Sequence, residues 1–220
     1  MSRTESSSAR SGPAGSPTAD IPATGRPTSW RGIDFVTLAV LAVAFGVAFW
    51  GWDMFLYPFV IAGLAFPPAQ SLTLGVWLLP AVVGGLVVRR PGAALFTELI
   101  AANVEMLLGN QWGPGVLVSG VLQGLGVELA LAAFRWRRFG VGVAMLAGAL
   151  AATFELVFYE WWAYQAEFAF EWKLLALVFA VVSGVVVAGI GGWALVRALA
   201  GAGALRPFPP GREQLARSAR

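Results

Sequence analysis

Glu155, Tyr159 and Trp162 stand at i, i+4 and i+7, the spacing that gathers side chains on one face of an α-helix. Glu105 and Gln123 add polar groups in neighbouring segments, and Trp50 and Trp112 add rings, with Trp77 a further candidate. Carboxylates supply counter-charge and hydrogen-bond acceptors, while indole and phenol rings supply stacking and cation–π attraction. Such a set suits a flat, cationic, hydrogen-bonding ligand. The plainer alternative is an interfacial belt of aromatic residues with solvated acids. A belt accounts for Trp161 and the loop acids, but poorly for Glu155 and Gln123, which lie within apolar runs.

Other chemistries are excluded by what the chain lacks. It has no Cys and no His in 220 residues, so disulfides, thiol catalysis, Ser-His or Cys-His hydrolysis and zinc enzymes are all out. No Walker motif and no Asp-x-x-x-Asp pattern occurs. Gly124-Leu125-Gly126 sits inside an apolar run with no strand before it, so it is no nucleotide loop. The expectation is a protein that is not an enzyme and needs neither metal nor cofactor.

The elements that must position these residues follow from composition. Apolar residues make up 58% and charged residues 12%, about half the ~25% charged content of a soluble domain. The 27 Gly and 10 Trp fit close helix packing in a bilayer and aromatic anchoring at its surfaces. Runs approaching the ~20 residues needed to cross predict spans at Ile33–Trp52, Leu72–Val88, Ala93–Leu108, Val116–Phe134, Val141–Trp162 and Leu174–Leu199. Met54–Phe66, ending at Pro67-Pro68, is too short to cross and reads as an outer loop or interfacial helix. No internal repeat is visible. The fold class is thus an all-α integral membrane protein of the cell membrane with six transmembrane helices.

The basic residues orient this arrangement. With the N-terminus inside, every arginine falls on inner segments: Arg3 to Arg31, Arg89 and Arg90, Arg135 to Arg138, and Arg197 onward. Only Lys173 lies outside. The positive-inside rule therefore places both termini in the cytoplasm, and it spends the arginines on a membrane face rather than on nucleic acid. Residues 1–29 are a Ser/Pro/Gly-rich leader expected to be disordered, 30–200 the membrane domain, and 201–220 a basic cytoplasmic tail. Of the acids inside spans, Glu98 and Glu128 fall in the inner half, where pairing with the nearby arginines is the expected role. The outer half holds Asp53, Glu105, Glu155 and Glu160 with no arginine.

Several motifs in order bring a known family into view: Gly46 with Trp50-Gly51-Trp52-Asp53, Gly75-Val76-Trp77-Leu78-Leu79-Pro80, and Arg90-Pro91-Gly92-Ala93-Ala94 with Glu98. They continue in Asn103-Val104-Glu105 to Asn110-Gln111-Trp112-Gly113 and in Gln123-Gly124-Leu125-Gly126-Val127-Glu128. From about Trp30 to Leu199 the chain resembles the YkoE family, substrate-binding (S) components of energy-coupling factor transporters associated with thiamine and its hydroxymethylpyrimidine precursor. The resemblance implies a six-helix subunit that captures the vitamin near the extracellular face. It also implies docking on a transmembrane coupling subunit driven by ATP-binding subunits. The first helix would make that contact, giving a role to Ala44 and Ala48 of its Ala-x-x-x-Ala step. A stand-alone proton-coupled secondary transporter for a small organic cation, with Glu98 and Glu128 as a proton relay, is the competing expectation.

Overall fold

The computed structural model describes residues 29–218, and the leader, apart from Ser29, lies outside them. The described residues hold helices and turns and no strand. Seven helical elements follow one another: α1 Gly32–Gly63, α2 Pro67–Val88, α3 Ala93–Leu108, α4 Gly115–Ala133, α5 Val141–Ala163, α6 Phe170–Gly201 and α7 Pro209–Ser218. All but α3 and α7 are long and apolar enough to cross a membrane. α3 has 16 residues and carries Glu98 and Glu105.

Two expected boundaries change. The stretch after Trp52 is not a separate interfacial helix, because a π-helical segment at Trp52–Leu56 carries α1 onward to Gly63. Pro58, which has no N–H to give the preceding turn, follows directly on the π-helical segment, where the regular hydrogen-bond ladder is already interrupted. α2 begins earlier than Leu72. Its first half, Pro67–Val76, winds as a 3-10 helix, and a turn at Trp77 separates it from the α-helical Leu79–Val88. A broken helix leaves backbone groups unpaired at the break, and in a membrane other protein groups must satisfy them.

The core runs along α2, α4, α5 and α6 and is built from small and branched residues, among them Ala81, Val83, Ala130, Ala147 and Ala180. Close approach depends on glycine where two backbones meet. A Cβ on Gly148 of α5 would overlap the backbone of Gly184 in α6, so only hydrogen fits there. α1 packs on α3 in the same way, with a Cβ on Gly46 falling 2.6 Å from that of Val104.

Arginines gather at one end of the bundle. Arg89 ends α2 in the left-handed conformation (φ 60°) and forms a bidentate pair with Glu213 of α7. Arg90 pairs with the fully buried Asp34 (2.9 Å), and Arg31 closes a capping box with the same carboxylate. The C-terminal segment expected only as a basic tail thus folds back as α7 against α2 and α6.

Candidate functional site

A cavity of about 210 Å³ opens near the end of the bundle opposite the arginines. α1 to α5 and the connections beside them line it, each for a local reason. α1 delivers Tyr57, the first residue after its π-helical segment, the broken α2 delivers Gln70, Thr73 and Trp77, and α3 delivers Glu98 and Glu105. The α3–α4 loop provides Trp112, and Asn110 fixes that loop by accepting the backbone N–H groups of Trp112 (3.0 Å) and Gly113 (2.6 Å). Ser119 and Gln123 come from α4, Glu155 and Glu160 from α5, and Tyr164 and Gln165 from the turn beyond it.

Polar contacts at the cavity pair each carboxylate with a neighbouring donor. Ser119 Oγ donates to Glu155 Oε1 at 2.6 Å, and Asn110 Nδ2 donates to Glu105 Oε1 at 3.1 Å. Gln165 Nε2 donates to Glu160 Oε2 at 3.1 Å. Deeper in, Glu98 Oε2 accepts the N–H of Ala81 at 2.8 Å, in the first turn of the α-helical half of α2. With its amide nitrogen facing the two oxygens, Gln123 donates to Glu98 Oε1 (3.1 Å) and to Trp77 O (3.2 Å). Glu98 and Gln123 thereby clasp the break in α2 from both sides, taking up a free N–H and a free carbonyl.

Acceptors outnumber donors here. Glu155 Oε2 and Gln165 Oε1 are buried without a hydrogen-bond partner, and Asp53 lies close by, beside Glu105 and Trp112. Among the described residues no Lys or Arg lines the cavity. Lys173 is occupied elsewhere, donating to Trp161 O at 3.1 Å and lying over the Trp162 ring. Buried acceptors normally have partners, so these point to a ligand rich in N–H donors or positive charge.

Aromatic rings close one side. Tyr57 meets Trp77 (5.4 Å) and Trp112 (5.5 Å) edge to face, and Trp112 meets Tyr164 (5.5 Å) in the same way. Trp52 extends the array from Trp77. Edge-to-face packing keeps ring faces available to a planar guest.

Of the residues expected from spacing, the fold brings Glu105, Gln123, Glu155 and Trp112 to one cavity, with Trp77. Tyr159, Trp162 and Trp50 do not line it. The cause is a π-helical segment at Leu156–Glu160, which adds a residue to the turn and breaks the i, i+4, i+7 face. Glu160 takes the place that α-helical phase would give Tyr159. Tyr159 instead stands edge-on to Tyr164 (5.5 Å), and Trp162 is 70% exposed with its Nε1 donating to Val157 O. Trp50 precedes the π segment of α1 and packs against Phe55. Ala44 and Ala48 lie exposed on α1, away from the Ala42–Gly46 face buried against α3.

Spacing missed Ser119, Glu160 and the role of Glu98. Among the described residues neither Glu98 nor Glu128 pairs with arginine. Glu128 accepts the N–H of Ala94 (2.8 Å), so each carboxylate caps the start of a neighbouring helix. The sequence signal for Glu98 was present in Pro80, which marks a helix start two residues into α2's second half.

Comparison with known proteins agrees with this architecture. Residues 33–154 match the family described as ABC-type cobalt transport system, permease component. The chain is 35% identical over 185 residues to "Putative HMP/thiamine permease protein YkoE" of Bacillus subtilis (strain 168), covering 84% of this chain and 92% of that one. A solved structure described as the crystal structure of an S-component of ECF transporter superposes with a TM-score of 0.80 at 34% identity. It covers 87% of this chain and 96% of its own.

Proposed function

The chain belongs to the YkoE family of S components of energy-coupling factor transporters, and from that premise we propose that it captures thiamine or its hydroxymethylpyrimidine precursor from outside the cell. The aminopyrimidine presents an exocyclic amine and a flat ring, and thiamine adds a cationic thiazolium. Glu155, Glu105 and Gln123 serve as the polar contacts, and Trp112, Trp77 and Tyr57 as the ring contacts. The observation that carries this reading is the set of carboxyl groups, Glu155 Oε2 unpartnered among them, in an aromatic cavity that no basic side chain of the described residues lines.

In this reading α1 to α6 all cross the bilayer, with α3 shielded from lipid by its neighbours. The arginine-bearing end faces the cytoplasm, so both termini are cytoplasmic and the cavity faces outward. Exposed Ala44 and Ala48 meet the transmembrane coupling subunit, and the ATP-binding subunits act through that contact.

The test is titration of the purified, detergent-solubilised protein with thiamine and with hydroxymethylpyrimidine, followed by intrinsic Trp fluorescence. Saturable quenching at nanomolar to low micromolar concentration, unaffected by riboflavin or biotin, is expected. Folded protein that binds neither compound would overturn the substrate assignment.

A further inference from the structure

A second cavity, of about 360 Å³, lies at the arginine-bearing end. Guanidinium groups reach it from separate elements: Arg89 just after α2, Arg137 in the α4–α5 connection, Arg197 on α6 and Arg217 on α7. Among the described residues Glu213 is the only carboxylate lining it, and it is held by Arg89, with the charge of Arg217 acting on it as well. One carboxylate against four guanidiniums leaves a strong positive excess.

The geometry fixes part of that charge without neutralising it. Arg89 lies 4.7 Å over the Phe139 ring, and Arg197 lies 4.7 Å over Trp193. Cation–π contacts orient a guanidinium yet leave its N–H groups free for an anion in the plane of the group. Arg137, Arg197 and Arg217 are exposed and make no ion pair among the described residues. The other wall is apolar, formed by Leu86 of α2 and Val196 of α6, two elements that run on into the hydrophobic bundle.

A pocket with phosphate-binding forks on one side and an apolar wall continuous with membrane helices on the other matches a lipid headgroup better than a soluble anion. We propose that this cavity holds the phosphodiester headgroup of an anionic glycerophospholipid, with Arg137, Arg197 and Arg217 as its donors. Bound there, the lipid neutralises the excess charge and fastens α7 to the ends of α2 and α6. This site is separate from the vitamin cavity and does not depend on which compound that cavity takes.

Native mass spectrometry of the full chain, released from detergent with phosphatidylglycerol, cardiolipin or phosphatidylcholine present, tests it. Retention of the anionic lipids at least fivefold above phosphatidylcholine is expected. The double variant Arg137→Gln/Arg217→Gln should drop to the phosphatidylcholine level, while its far-UV circular dichroism, which reports folding, stays unchanged. Glu213→Gln raises the positive excess and should retain anionic lipid at least as well as the parent. Equal retention of zwitterionic and anionic lipid would overturn the proposal, as would undiminished retention in the double variant. Displacement of the lipid by millimolar inorganic phosphate would assign the pocket to a soluble anion instead. Loss of coupling-subunit binding by the double variant in lipid-free detergent would assign it to a protein partner.

Discussion

The Glu98 carboxylate terminates a helix other than its own, accepting the N–H of Ala81 at 2.8 Å across the α2–α3 interface. Its second oxygen accepts from Gln123, which also reaches the carbonyl of Trp77. A buried acidic residue therefore holds open a break in α2, and that break aims Trp77 and Thr73 at the cavity. Glu98→Ala strands the Ala81 N–H and one Gln123 donor, at a cost of about 1–3 kcal/mol. Glu98→Gln keeps an acceptor for Ala81 and should lose less than half as much. Thermal unfolding in detergent, with the two variants compared side by side, checks the difference.

Glu155 has one oxygen held by Ser119 and one without a partner. Replacing it with Gln removes the charge but keeps the shape. Thiamine affinity should fall at least tenfold, about 1.4 kcal/mol. Unchanged affinity in the folded variant would remove Glu155 from the binding site. Ser119→Ala should cost less, because it frees a ligand acceptor while losing the side chain that orients it.

Bulky residues at Ala44 and Ala48 test the docking face. Both are exposed on α1, so Ala44→Phe and Ala48→Phe should leave vitamin binding within twofold of the parent. Co-purification with the coupling subunit should be lost. Full recovery of the complex would move the docking surface off this face.

Glu213 gives a pH signature. The Arg89 guanidinium beside it holds its carboxyl below the ordinary value of 4.5. A depressed folded value means the pair stabilises the fold fully above the unfolded value, and loses that contribution as pH falls through the folded one. The stability difference between the parent and Glu213→Gln should be constant from neutral pH to about pH 5 and shrink below pH 4.5. Because Glu213 is half exposed, the difference should also shrink in high salt. Chemical unfolding at a series of pH values reads both effects.

Much of this fold is legible in composition. The apolar runs and the confinement of arginine to alternate connections mark the spans, and the helices from Ala93 to Ala163 begin and end close to where the runs do. Site residues were legible where the helix is regular. Glu105, on α3, and Gln123, on α4, sit within unbroken α-helix and reach the cavity as their types suggest. Tyr159 and Trp162 do not, because no residue pattern announces a π turn at Leu156–Glu160. Glu98 and Glu128 misled for a different reason. Charge arithmetic matches them to nearby arginines, but a helix start buried in a neighbouring element supplies backbone N–H groups that are invisible in sequence.

The π turns on α1 and α5 make chain length, rather than side-chain identity, a control on what the cavity displays. Each carries one residue beyond the α-helical repeat, and each sits where its helix passes the cavity. Deleting a single residue within Leu156–Glu160 would restore the ordinary winding and swing Glu160 off the cavity wall, displacing Tyr164, Gln165 and Phe168 beyond it as well. An insertion or deletion there re-addresses a whole helix end at once, a change in what the cavity displays that no single substitution reproduces.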